Sequence, residues 1–382
     1  MQTRDFKLKR FIRNPLWLVF FFSLIVNIPF ILISFGSPLD FGSFYAAGEF
    51  ASQGENPYST NSPLIFKVEF PGINHFGLAP NLNPPISIII FEQIIFSSLQ
   101  NTVITWRIIS IILYIALAIV IQRSDLSNQK SPTGIQRLMW ILALAGFWHC
   151  IQLGQIYIPM LAIAILAWTW LKQGRDILGG IAIGFLIAIK PNFIVWALIL
   201  LAARNWKSFL AAGITSLGIS VIPLFLYGPE IYIQWIEASA QFAPDLLIFP
   251  GNNSFQGLTA RFGFPEIGAV LGVSLLIGIL LFVFIKKIPQ TAIHGIGIIS
   301  SLLLSPIAWT GYTLLTIPIF LEKEKWNVPY WVSALILVTP FAIILNLFQT
   351  SFLNFVFWGW FYGWALVILL GTQVWELRNK GI

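Results

Sequence analysis

Apolar residues run through this chain in long blocks, and polar residues gather where the blocks end. The blocks fall at positions 15–35, 102–122, 138–152, 156–171, 177–190 and 192–204, then at 207–227, 265–285, 292–306, 308–321, 328–346 and 355–375. Roughly 20 apolar residues make a helix that crosses a bilayer, so the pattern predicts an all-α, polytopic membrane protein with about twelve transmembrane helices. The segment 84–98 stands apart. It is short, begins at Pro84-Pro85 and carries Glu92 and Gln93; proline is tolerated where a helix starts.

Composition agrees with the pattern. The chain is 57% hydrophobic and 10% charged, where a soluble domain carries about a quarter charged residues. The first 13 residues include Arg4, Lys7, Lys9, Arg10 and Arg13. The apolar run behind them is long, holds Asn27 and Pro29 and lacks a small-x-small cleavage site, so a retained first span with its N-terminus inside is expected.

Charge also decides the path of 84–98. If that segment does not cross, only Lys67, Arg107, Lys190 and Arg261 of the 22 Lys and Arg residues lie outside. If it crosses alone, every later loop inverts and the basic residues point outward. Basic residues favour the cytoplasmic side, so 84–98 is expected to be a re-entrant or interface helix, with both termini cytoplasmic. The chain then reads as one membrane-embedded domain over 1–382, in the plasma membrane, with outer loops at 36–83 and 228–264.

Several classes of function drop out. The net charge of +7 follows from basic residues at helix ends, and no basic stripe with interleaved aromatics points to nucleic acid. Cys150 stands alone, so no intramolecular disulfide can form. Three scattered histidines show no metal-ligand spacing, and no cofactor is expected. No GxGxxG follows a strand, and no GxxxxGK[ST], DxD or internal repeat appears.

The polar stretch Ser37–Ser59 carries the sharpest candidate chemistry. Asp40 lies just past an apolar span and is followed by Glu49, Glu55, Tyr45, Tyr58 and the turn Asn56-Pro57. An ionisable group held so near the membrane is costly to desolvate and is a functional candidate by default. The same threading brings Asn83-Pro84-Pro85, His149 through Gln155, Lys190-Pro191-Asn192, Asn252-Asn253-Ser254, Arg261 and Ser305-Pro306 to the outer side. Lys190 precedes a proline where one helix stops and another starts; a cation beside fresh helix amides suits a lipid phosphate, and a snorkelling lysine is the competing reading. Arg261 is either a second phosphate contact or a helix anchor.

These pieces, in order, resemble family-87 glycosyltransferases of the membrane-embedded GT-C class, which include polyprenyl-phosphate-mannose-dependent mannosyltransferases. The matching pieces are D-F-x-x-x-Y-x-A-G from Asp40 to Gly48, G-x-x-P-Y from Gly54 to Tyr58, and the prolines of Asn83-Pro84-Pro85. Gly154-Gln155, the run Leu178–Pro191, N-N-S-F-Q-G-L-T-A-R from Asn252 to Arg261 and S-P-x-x-W from Ser305 to Trp309 complete the set. Two positions depart from the family: Asn83 stands where Tyr is usual, and Gly311 where a histidine is frequent.

The resemblance implies a polyprenyl-phosphate sugar donor, mannose-like, and a hydroxyl acceptor on a lipid or glycan at the outer face. Asp40 matches the catalytic aspartate and would be the base; its alternative is to N-cap a helix starting at Phe41. Lys190, Arg261, Tyr45, Glu49, Tyr58, Gln155 and Asn253 are the expected substrate contacts, although tyrosines at an interface also form ordinary aromatic belts. Tryptophans 309, 358, 360 and 364 could line a groove for a prenyl tail. A transporter of a lipid-linked glycan and a non-catalytic homologue are the rival readings.

Overall fold

A computed structural model describes residues 16–70, 75–95, 97–123, 134–323, 325–348 and 351–379. The basic cluster Arg4–Arg13 lies outside these residues. The protein is mostly helical. The β-structure among the described residues is one antiparallel hairpin, Phe66–Phe70 with His75–Ala79, in which Phe66 faces Ala79.

Among the described residues, three helices are long and apolar enough to cross a membrane: Leu99–Ile121, Trp206–Tyr227 and Pro265–Ile285. Their side chains face outward in keeping with that. Phe225 is 85% exposed and Ile214 71%, an arrangement that suits lipid and not water. Two bent pairs raise the number to five, Val328–Val338 with Phe341–Leu347 at 82° and Phe352–Gly359 with Phe361–Asn379 at 53°. The first bend has a plain cause. Pro340 cannot continue the helix, and it pushes Thr339 into the extended region at φ −62°, ψ 122°.

Of the twelve expected crossings, the described residues thus show three to five, and several of the expected runs are divided into shorter helices. The run expected as one span at 138–152 is two helices, Gly134–Ala143 and Ala145–Leu153, broken at Leu144. The run at 308–321 is a 3-10 helix, Thr310–Thr316, followed by the short Ile317–Leu321. Tyr157–Lys172, Asp176–Ile189 and His294–Leu303 are apolar but shorter than a full crossing. Segment 84–98 holds the nine-residue helix Ile86–Ile94, roughly 13 Å long at 1.5 Å per residue and too short to cross.

Both segments expected as outer loops hold regular structure among their described residues. The first contains the helix Leu39–Ser52 and the hairpin. That helix packs on Ile86–Ile94, with the rings of Phe44 and Phe91 stacked 4.6 Å apart. The second contains the helix Glu230–Leu246 and the short Phe255–Ala260. Glu230–Leu246 lies along the second hairpin strand, and its Trp235 Nε1 donates to the Leu82 carbonyl at 3.1 Å. At the other end of the Tyr157–Lys172 helix, roughly 22 Å away, Lys172 pairs with Glu322 and Lys323 with Glu376. The two ends of the bundle thus differ: ion pairs close one and a cavity opens at the other.

Candidate functional site

The cavity has a volume of about 340 Å³ and is bounded by segments far apart in sequence. Asp40 comes from the helix Leu39–Ser52, Asn83 and Pro84 from the stretch ahead of Ile86–Ile94, and His149 and Gln155 from either side of one tight turn. Lys190, Pro191 and Asn192 come from a helix break, and Ser305, Pro306 and Trp309 from a late loop.

Asp40 is buried in the first turn of its helix. The N-cap position is Pro38 and makes no side-chain cap, so Asp40 is not the cap that the competing reading made it. Leu39, one residue earlier, sits at φ 41°. A leucine there is strained, and such strain persists only where surrounding structure holds it. Gln155 Nε2 donates to Asp40 Oδ2. That is the one hydrogen-bond partner of this carboxylate among the described residues, which leaves its second oxygen unpaired at the cavity. Burial pushes the Asp40 carboxyl up from its ordinary value near 3.8 to about 7, and the positive charge of Lys190 acts in the opposite direction.

Local backbone chemistry sets the Asp40–Gln155 contact. Gly154 ends the Ala145–Leu153 helix in the left-handed region at φ 73°, where glycine alone is unstrained. A Cβ there would also lie 2.7 Å from the Phe41 Cβ, so glycine lets the turn press against the Asp40 helix. Trp106 Nε1 holds the Gly154 carbonyl at 3.0 Å.

Arg107 completes the clamp. It is fully buried in Leu99–Arg123. Its guanidinium donates to the carbonyls of Ser34 and Ser37, both at 2.9 Å, and to those of Phe35 and Gln152. One side chain thereby fixes the segment leading to Asp40 against the segment leading to Gln155. Sequence reading counted Arg107 only as an outer charge; a lone arginine inside an apolar run was the signal that it had a specific task.

Lys190 follows Asp176–Ile189 in extended conformation, at φ −144°, ψ 99°, just before the 3-10 turn Pro191–Phe193. Its ammonium lies 5.9 Å from the Tyr157 ring and 5.7 Å from the Tyr312 ring, whose centroids are 4.1 Å apart. It has no hydrogen-bond or ion-pair partner among the described residues. Rings favour a cation by their negative faces but do not consume its three N–H donors. Neither tyrosine was singled out from sequence, and adjacency to Gln155 and Gly311 was the available hint. At Gly311 a Cβ would meet Tyr157 Cδ2 at 2.4 Å and Cys150 Sγ at 2.7 Å. The space that a side chain at 311 would need is filled by the Tyr157 ring and the cysteine.

The other expected contacts lie off the cavity. Arg261 is buried and donates to the carbonyls of Gly257 at 2.6 Å, Phe249 at 2.7 Å and Gly359 at 2.8 Å. Asn252 and Asn253 are supports. Asn253 N donates to the Ala308 carbonyl at 2.8 Å, Ala308 N to Asn252 Oδ1 at 2.9 Å and Ser254 Oγ to the Pro306 carbonyl at 2.8 Å, and together they hold the Ser305–Ile307 wall. Tyr58 donates to the Asn83 carbonyl at 3.0 Å and Tyr45 to the Ser97 carbonyl at 3.2 Å. Glu49 is half-buried and does not line the cavity. Of the four tryptophans, Trp309 lines it, whereas Trp360 is buried with Nε1 on the Ser254 carbonyl. Among the described residues no group of three His, Cys, Asp or Glu side chains could hold a metal ion.

A buried carboxylate and an unpaired cation thus meet in one cavity, mostly apolar in its lining, at the end of an apolar bundle. Comparison with known proteins gives the class of activity. An α-(1→3)-arabinofuranosyltransferase of Corynebacterium glutamicum is 24% identical over 315 residues, which cover 73% of this chain and 72% of that protein. No solved structure matches the chain. The sequence model of glycosyltransferase family 87 matches residues 81–306, so the Asp40 helix joins the site through geometry and lies ahead of the match. With more than half of its length matched, and with helices long enough to cross a bilayer, the chain belongs to glycosyltransferase family 87 and is a membrane glycosyltransferase.

Proposed function

We propose that this cavity transfers a glycosyl group from a polyprenyl-phosphate donor to a hydroxyl on the outer face of the plasma membrane. The observation that carries the reading is the meeting of Asp40 and Lys190 in one cavity, the first oriented by Gln155 and the second with no anion of its own. Asp40 is the base. It takes the proton as the acceptor oxygen forms a bond to the anomeric carbon. The bond from that carbon to the phosphate oxygen breaks, and its electron pair leaves with the polyprenyl phosphate. Attack opposite the leaving group inverts the centre. Lys190 takes the phosphate charge through its three N–H donors.

The outer location rests on the distribution of basic residues, and with it go cytoplasmic termini and a path in which short helix pairs make up further crossings, about twelve in all. The donor sugar is a mannose-like hexose by family resemblance and a pentofuranose by similarity to the Corynebacterium relative. Isolated membranes holding the protein, supplied with radiolabelled polyprenyl-phosphate hexoses and pentofuranoses and a native lipid and glycan extract, test this. Label should pass from one donor class into a new product. Folded protein that moves label from neither class overturns the reading.

A further inference from the structure

One wall of the cavity has no part in the steps above. It is formed by one face of the Glu230–Leu246 helix, where Trp235, Ser239, Ala243 and Leu246 recur at spacings of four, four and three, and it continues into Phe249 and Trp309. The aromatic rings are held from behind. Trp235 Nε1 is spent on the Leu82 carbonyl, and Phe249 and Trp309 meet edge to face at 5.7 Å. Ser239 is half-buried and its hydroxyl has no partner among the described residues. Fixed aromatic surface beside a free hydroxyl is the chemistry that holds a sugar ring, which offers C–H groups on its faces and O–H groups at its edge.

Charge separates this from the other kind of acceptor. The helix has no Lys or Arg, and its Glu230, Glu237 and Asp245 do not line the cavity. Among the described residues Lys190 is the lining lysine or arginine, and the donor phosphate occupies it. The wall's own side chains are uncharged, so an anionic headgroup there would give up its hydration with no free cation to offset it.

Resting on the glycosyl-transfer reading, we infer that the Trp235–Ser239–Trp309 wall is the acceptor subsite and that it takes an uncharged carbohydrate, so the protein extends a glycan and does not glycosylate a phospholipid headgroup. The test uses membranes with saturating donor and two probes, a panel of neutral methyl oligosaccharides and phosphatidylinositol vesicles. Transfer should go to the oligosaccharides. Trp309→Ala and Ser239→Phe should each raise the acceptor KM about tenfold or more and leave the donor KM within twofold, with Trp235→Phe closer to wild type than Trp235→Ala. Ser239→Phe alters a half-buried side chain without partners, so it tests the subsite even if a tryptophan variant fails to fold. Transfer to phosphatidylinositol alone, or an acceptor KM unchanged in Ser239→Phe and Trp309→Ala, overturns the inference while leaving glycosyl transfer standing. No transfer from wild type to any probe or to the native extract counts against the transfer reading itself.

Discussion

Arg261 and Lys190 were both expected to meet a lipid phosphate, and the structure gives them opposite surroundings. Arg261 is sealed among the carbonyls of Phe249, Gly257 and Gly359. Lys190 stands over two tyrosine rings with its N–H donors unspent. A buried cation whose terminal guanidinium nitrogens are both directed at backbone oxygens is part of the scaffold. One left without an anion at a cavity is available to a ligand. Arg107 falls on the Arg261 side of this division, with a scaffold role that bears on the site because its carbonyls belong to the segments before Asp40 and Gln155.

The largest expected effect comes from the carboxylate that shares the cavity with the available cation. Asp40→Asn should lower transfer by about 10²–10⁴-fold, the usual contribution of a general base, while the protein stays folded in the membrane. Burial disfavours the ionised carboxylate, so a neutral isostere does not weaken the fold; a melting temperature well below wild type would count against this. Arg261→Met should act on stability. It leaves carbonyls of three segments without a donor, a loss of about 3 kcal/mol measured by unfolding, and the folded fraction should keep the wild-type donor KM. An Arg261 variant that folds normally but loses donor affinity would erase the distinction between the two cations.

Lys190→Gln should raise the donor KM by about 10–100-fold, as expected for losing a charge-assisted contact to phosphate, with Lys190→Arg recovering part of it. The smallest effect is expected for Gln155→Leu. Losing the donor to the Asp40 carboxylate should slow transfer about tenfold and move the acid limb of its pH profile upward, because a hydrogen bond to the charged form favours ionisation.

The sequence shows why Lys190 and Asp40 could be found and Arg107 could not be understood. Asp40, Gln155 and Lys190 are polar interruptions at the ends of apolar runs, and positive-inside bookkeeping alone brings them to one side. What Arg107 does depends on carbonyls 45 to 73 residues away, and no local pattern encodes those. Tyr45, Tyr58 and Glu49 were expected to contact substrate because they follow Asp40 in sequence, but the helix Leu39–Ser52 turns Tyr45 toward Ser97 and leaves Glu49 half-buried outside the cavity. The number of crossings was least legible. Hydropathy sums over a window and does not register that Leu144 or the Thr339-Pro340 step breaks a run into separate helices.

The central claim is that a buried Asp40, ionising near pH 7 beside Lys190, is the base of glycosyl transfer. The most direct test is the pH dependence of kcat/KM for transfer in membranes, in wild type and in Lys190→Gln. A base works only when ionised, and burial raises the Asp40 pKa to about 7, so wild-type transfer should fall as pH drops through about 7. Lys190 favours the ionised form, so its removal should move that limb to higher pH. A flat wild-type profile between pH 5 and 8, or a limb that stays in place in Lys190→Gln, would contradict the account.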